Sequence, residues 1–179
     1  MGELAPVRVL GLGNVLMGDD AAGPWIVEAL LAGWEFPEGV SVVDVGTPGL
    51  DLTPYLAEAD SVILVDTVQS DATPGTVRVY SRETLFRMSP QPRMSPHDPG
   101  LTEALTALSL AGSAPHDVTL VGVVPKNVSM GVGLSGAARA AVPLAVAEVV
   151  ARLTTLGYRP IPRPGAATAT PWWEAGVVG

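Results

Sequence analysis

The sequence predicts an α/β domain: a three-layer, mostly parallel twisted sheet with helices on its faces. Three observations carry that expectation. Short apolar runs rich in β-branched residues recur at Val7–Leu12, Val40–Val45, Ser61–Asp66 and Val118–Val124. Segments with apolar residues at helical spacing lie between them. Gly- and Pro-containing stretches mark each change of period.

The elements follow in order. Val7–Leu12 reads as a buried strand running into Gly11-Leu12-Gly13. Ile26, Val27, Leu30, Leu31 and Trp34 share one helical face, so a helix follows. Val40–Val45 is a second strand, closed by Gly46-Thr47-Pro48-Gly49, and Leu50, Leu52, Tyr55 and Leu56 suggest a short helix. Ser61–Asp66 is a third strand. Pro74-Gly75 is a turn, and Thr76–Ser81 alternates as a half-exposed strand. Residues 89–99, rich in Pro and Met, read as loop. Leu101, Leu105, Leu108 and Leu110 mark a helix, and Val118–Val124 is another buried strand. Pro125–Gly136 is a Gly-rich loop before a long helix, Ala137–Leu156, which contains Pro143 and stops at Gly157.

Composition bounds the rest. The chain has 179 residues, 47% hydrophobic and 16% charged, enough for one domain with a sizeable core. We place that domain at residues 1–163. Residues 164–179 form a Pro- and Ala-rich tail, expected to be flexible or loosely packed, although its Trp172-Trp173 pair would need a docking site. A net charge of −8 with ten Lys and Arg argues against a nucleic-acid partner. No apolar run reaches the length of a membrane span, and residues 1–6 lack the features of a signal peptide. The absence of cysteine excludes thiol nucleophiles and thiolate metal sites in this chain and fits a cytoplasmic protein. A monomer is the expected state.

The chemistry concentrates after the first strand. Gly11-Leu12-Gly13 begins like a nucleotide-binding turn, but Asp19 and Asp20 occupy the place of a phosphate. A helix N-terminus attracts anions, so two carboxylates there repel phosphate and invite a cation. The third glycine of a dinucleotide fingerprint would stand at position 16, which is Leu16. Asp44, at the end of the second strand, sits where a ribose-binding acid would, which keeps a nucleotide-dependent oxidoreductase as an alternative.

Topology gathers the other groups. In a parallel sheet, ligands bind beyond the carboxyl ends of the strands. The Asn14–Asp20 loop, Gly46–Gly49 and Asp66 all fall on that edge. The helix before Val118–Val124 must run away from the edge, so His97, preceding that helix, belongs with Asp20 and Asp66. His116, following it, belongs at the opposite end. Two carboxylates and an imidazole form a mixed oxygen and nitrogen site suited to a borderline divalent metal such as Zn²⁺ or Ni²⁺. Each group also has a plainer reading: Asp19 as a loop or helix-capping carboxylate, Asp66 as an acceptor of turn amides, Asn14 as a loop stabiliser, Lys126 and Asn127 as bystanders.

The pattern resembles the [NiFe] hydrogenase maturation endopeptidases. The resemblance covers about residues 7 to 163 and includes Gly11-Leu12-Gly13-Asn14-Val15-Leu16-Met17-Gly18-Asp19-Asp20, Gly46-Thr47-Pro48-Gly49, Leu64-Val65-Asp66, Ser95-Pro96-His97 and Leu120-Val121-Gly122-Val123-Val124-Pro125. It implies a five-stranded sheet with helices on both faces. It implies removal of a C-terminal extension from a hydrogenase large-subunit precursor once nickel, carried by that substrate, is in place. The family's metal-contacting residues fall on Asp20, Asp66 and His97, which are also the candidate catalytic residues. Asp19 is a further catalytic candidate, and Asn14, Gly46 and Thr47 are candidates for substrate binding. Zn or Cd would be able to stand in for nickel in a crystal. Some relatives carry Glu where Asp20 stands, many have Gly in place of Ala21, and the tail after Pro164 has no counterpart. A non-cleaving metal-binding scaffold is a second alternative.

Overall fold

The computed structural model describes residues 5–47, 52–87, 100–165 and 170–174. Strand β1 (Val7–Leu12) is buried along its whole length, as expected of a strand in the middle of a sheet covered on both faces, and its one charged residue, Arg8, donates to the Ala5 and Tyr55 carbonyls. A 3₁₀ turn (Gly18–Ala21) leads directly into α1 (Ala22–Gly33). Trp34 falls outside that helix. It pairs instead in the two-residue strand β2 (Trp34–Glu35), before β3 (Val40–Gly46) and the single-turn helix α2 (Thr53–Leu56). Strand β4 (Ser61–Thr67) extends one residue beyond Asp66, and β5 (Val77–Ser81) follows. Helix α3 (Arg82–Arg87) was not anticipated from the sequence. Then come α4 (Leu101–Ala111), β6 (Asp117–Val123), α5 (Gly136–Thr155) and the two-residue strand β7 (Ile161–Pro162), antiparallel to β2.

The main sheet has five strands in the order β3-β1-β4-β6-β5. The pairs β1–β3, β1–β4 and β4–β6 are parallel, and β5 closes one edge antiparallel to β6. Two apolar clusters fill the two faces. One gathers Ile26 and Leu30 of α1 with Ala138, Ala145 and Val149 of α5. The other gathers Leu56 of α2, Leu85 of α3 and Leu105 and Leu108 of α4. Leu110, counted on the core face of α4 from its spacing, is instead 86% exposed. Pro143 lies on the exposed side of α5.

This order sets the location of the site. From β1 the chain moves outward to β3; from β3 it crosses back past β1 to β4. The carboxyl ends of β1 and β4 therefore flank the point where the strand order reverses, the crevice where open α/β sheets bind ligands. Asp20 follows one of these strands and Asp66 lies at the end of the other.

The described part of the tail is packed. Trp173 is 7% exposed and meets Trp25 edge to face, with ring centres 6.4 Å apart. Within residues 170–174 the Trp173 indole buries its apolar surface against α1 and α5. Trp172 is 76% exposed. No helix among the described residues is long and apolar enough to cross a membrane.

Candidate functional site

Two glycines let the first loop reach the sheet edge. Gly13 has φ +134°, and a Cβ there would lie 1.8 Å from the carbonyl oxygen of Asp20. Only glycine allows the loop to fold back so closely. Gly23 brings α1 against the sheet, since a Cβ there would lie 2.0 Å from the Leu12 carbonyl oxygen. The Gly13 N–H donates to the Gly46 carbonyl, which ties this loop to the end of β3.

Asp19 and Asp20 are both 1% exposed, but their surroundings differ. Asp19 accepts from the backbone N–H groups of Lys126 at 2.7 Å, Asn127 at 3.2 Å and Ser135 at 2.6 Å. The Ser135 hydroxyl adds a fourth bond at 2.8 Å. Three of these donors meet Oδ2 and one meets Oδ1, so Asp19 is held on both oxygens by the protein itself. Neither aspartate caps α1 with its side chain; Asp19 instead anchors the Gly-rich loop. Backbone bonds complete the seam: Gly18 N–H to Gly131, Gly131 N–H to Leu16 and Asp19 N–H to Asn127. Lys126 and Asn127, expected on this edge with a ligand contact or none, take part through their main chain.

Asp20 has fewer partners among the described residues. It accepts from the Asn14 N–H at 2.8 Å and from the Thr67 hydroxyl at 3.3 Å. Asp66, also 1% exposed, accepts from the Thr67 N–H at 2.6 Å, and the same Thr67 hydroxyl lies 3.5 Å from it. One hydroxyl thus faces both carboxylates, which brings Asp20 and Asp66 to a common point. The described ion pairs are Arg87–Glu83, Arg139–Glu174, Arg152–Asp117 and Arg163–Glu35, so Asp20 has no described cationic partner. A charge buried in this way calls for a positive group. Two hard oxygen donors at one point, with lone pairs of Asp20 still open, fit a divalent cation.

The other candidates fall as follows. Asn14 accepts the Leu16 N–H at 2.9 Å through its side chain, so its amide is engaged in the loop itself. Gly46 has φ +64° and donates to Asp44, and Thr47 is exposed at the same edge. His97 lies outside the described residues, as do Ser95, Pro48 and Gly49. His116 is exposed and donates its N–H to Asp60, just before β4, which puts it at the opposite end of the sheet. Partial desolvation raises the Asp44 carboxyl from its ordinary value, and the Gly46 N–H bond works against that shift. Thr67 and Ser135 were missed in the sequence. A Ser before a Gly that opens a helix is an N-cap signal, and Ser135 does cap α5 by accepting from Ala138.

Residues 24–152 match the family model described as hydrogenase maturation protease. The chain belongs to the hydrogenase maturation protease family. It is 36% identical over 158 residues to the hydrogenase 2 maturation protease of Escherichia coli K12, covering 88% of this chain and 96% of that one. It is 31% identical to the hydrogenase expression/formation protein HupD of Rhizobium leguminosarum bv. viciae, covering 94% and 84%. Among solved structures, the E. coli hydrogenase maturating endopeptidase HybD superposes with TM-score 0.80 at 35% identity, covering 88% and 97%. The [NiFe] hydrogenase maturation protease HybD of Thermococcus kodakarensis gives 0.66 at 30%, covering 82% and 97%. This hydrogenase maturation protease is an endopeptidase, which sets aside the nucleotide-dependent and non-cleaving readings. The loop that resembled a nucleotide turn serves a protease.

Proposed function

We propose that this protease removes the C-terminal extension of a [NiFe] hydrogenase large-subunit precursor after nickel insertion, and that Asp20, Asp66 and His97 contact the nickel carried by the substrate. The observation that supports this most is the contrast between neighbouring acids. Asp19 is held by four protein donors, while Asp20 accepts from two described donors and keeps lone pairs open at a point it shares with Asp66. The protein contributes oxygen donors and one imidazole; the substrate supplies the metal and its thiolates. The cytoplasm is the proposed compartment and the monomer the acting form.

A substrate metal at this point would polarise a nearby carbonyl or acidify a water. The chain's own residues do the remaining work. The Thr67 hydroxyl and N–H orient the two carboxylates. The Asn14 N–H holds Asp20 against the loop. In this reading Asp20 takes the proton, supported by its having two described protein donors where Asp19 has four. In the same reading Gly46 and Thr47, at the neighbouring strand end, meet the extended substrate chain.

The test is processing of nickel-loaded precursor by Asp20→Asn, Asp66→Asn and His97→Ala, followed by mass analysis of the precursor. Each variant should leave the C-terminus intact over times in which the parent removes it. Parental rates for all three would end the assignment.

A further inference from the structure

Residues 170–174 lie beyond the span matched by the family model, which ends at residue 152. They nevertheless reach the loop that holds the site. Trp173 shares one apolar cluster with Trp25, Leu134, Ala138 and Val142. Arg139 places its guanidinium 4.6 Å from the Trp25 ring centre and donates one nitrogen to both Glu174 oxygens, at 3.0 Å and 3.2 Å. Glu174 packs so closely on Gly133 that a Cβ there would come within 3.3 Å of its Oε1. Leu134 and Gly133 belong to the Gly-rich loop, and Trp25 and Arg139 to the first turns of α1 and α5.

We propose that residues 170–174 are a strap that fixes the 125–135 loop and, through its bonds to Asp19, holds the turn carrying Asp20; Trp173 is a positioning residue for peptide cleavage. The inference rests on the reading that Asp20 meets the reacting centre. Its physical basis is a short relay. The buried indole pins Leu134 and the start of α5. The same loop gives Asp19 the N–H groups of Lys126, Asn127 and Ser135 and exchanges backbone bonds with Leu16 and Gly18. Asp20 is the next residue. The Arg139–Glu174 pair is partly exposed, so by itself it contributes little. Its role is to hold the strap over Gly133.

The experiment compares the full chain with Trp173→Ala, Trp173→Phe and Glu174→Gln by hydrogen exchange and by precursor processing. In Trp173→Ala, amides of residues 14–20 and 126–135 should lose protection by about a hundredfold while those of β1 and β4 keep theirs. Its kcat should fall by about ten- to a hundredfold with little change in KM. Trp173→Phe should restore both, and Glu174→Gln should change kcat by about twofold. Should the alanine variant not fold, Trp173→Leu keeps apolar volume without the ring contact and is judged by the same outcomes. Unchanged exchange in both loops overturns the strap, and parental kcat with loosened loops overturns the positioning role. Asp20→Asn in parallel separates the two readings: if it cleaves normally with parental exchange, the site assignment fails while the strap result stands.

Discussion

Thr67 donates its hydroxyl to Asp20 across 3.3 Å, linking the end of β4 to the turn after β1. The same oxygen faces Asp66. Thr67→Val keeps the shape and the N–H to Asp66 but removes this shared donor. A buried acceptor losing its partner costs about 1–3 kcal/mol, so the variant should melt earlier yet remain folded. Processing should slow more than the small loss of stability explains. Denaturant titration and precursor cleavage, done together, check both.

Asp19 and Asp20 should separate experimentally. Asp19→Ala leaves three backbone N–H groups and the Ser135 hydroxyl without their acceptor. We expect a loss of about 2–4 kcal/mol, measured by chemical denaturation. Asp20→Asn should cost less stability and abolish cleavage. Equal stability losses for the two would contradict the division of labour between them.

Gly13→Ala is expected to prevent native folding. Its Cβ would overlap the Asp20 carbonyl oxygen at 1.8 Å, in a backbone conformation that L side chains rarely adopt. The penalty should be at or above about 4 kcal/mol, among the largest for a single substitution. Loss of a cooperative thermal transition is the readout.

Asp44 predicts a pH effect of opposite sign to most carboxylates. Desolvation favours its neutral form in the native state, so its native pKa lies above the unfolded one. The native state therefore gains stability as pH falls through that raised value and carries the cost of the charge at neutral pH. Asp44→Asn preserves an acceptor for Gly46 without the charge. Its melting temperature should slightly exceed the parent's at neutral pH, and the difference should close on acidification. A difference that widens in acid would reverse the sign and refute the account.

The sheet was legible in the sequence because strands buried on both faces carry apolar stretches longer than alternation allows, as Val9–Leu12 and Val62–Val65 do. Helix α3 was not legible: Arg82–Arg87 is short, and only Leu85 is buried. Nor was the pairing of Trp34 with Pro162, since two-residue strands carry no period. Charge at strand ends made it legible that Asp20 and Asp66 would lie together, as the shared Thr67 hydroxyl shows. The different tasks of Asp19 and Asp20 were invisible, because the anchor's partner Ser135 stands 116 residues away and adjacent carboxylates look alike in a sequence. The tail's composition suggests a loose segment, and the burial of Trp173 is not legible there.

The reversal of strand order between β1 and β4 has a consequence for biogenesis. Thr67 and Asp20 are 47 residues apart, and the β1–β4 pairing that unites them is parallel and non-local. Such pairings form late, after their loop-closure entropy has been met. Neither half of the sheet holds both carboxylates. If Asp20 and Asp66 act as proposed, a chain still folding, or one that has opened along that seam, has no cutting centre to turn on its neighbours. On that assignment, competence arrives only as the fold is completed.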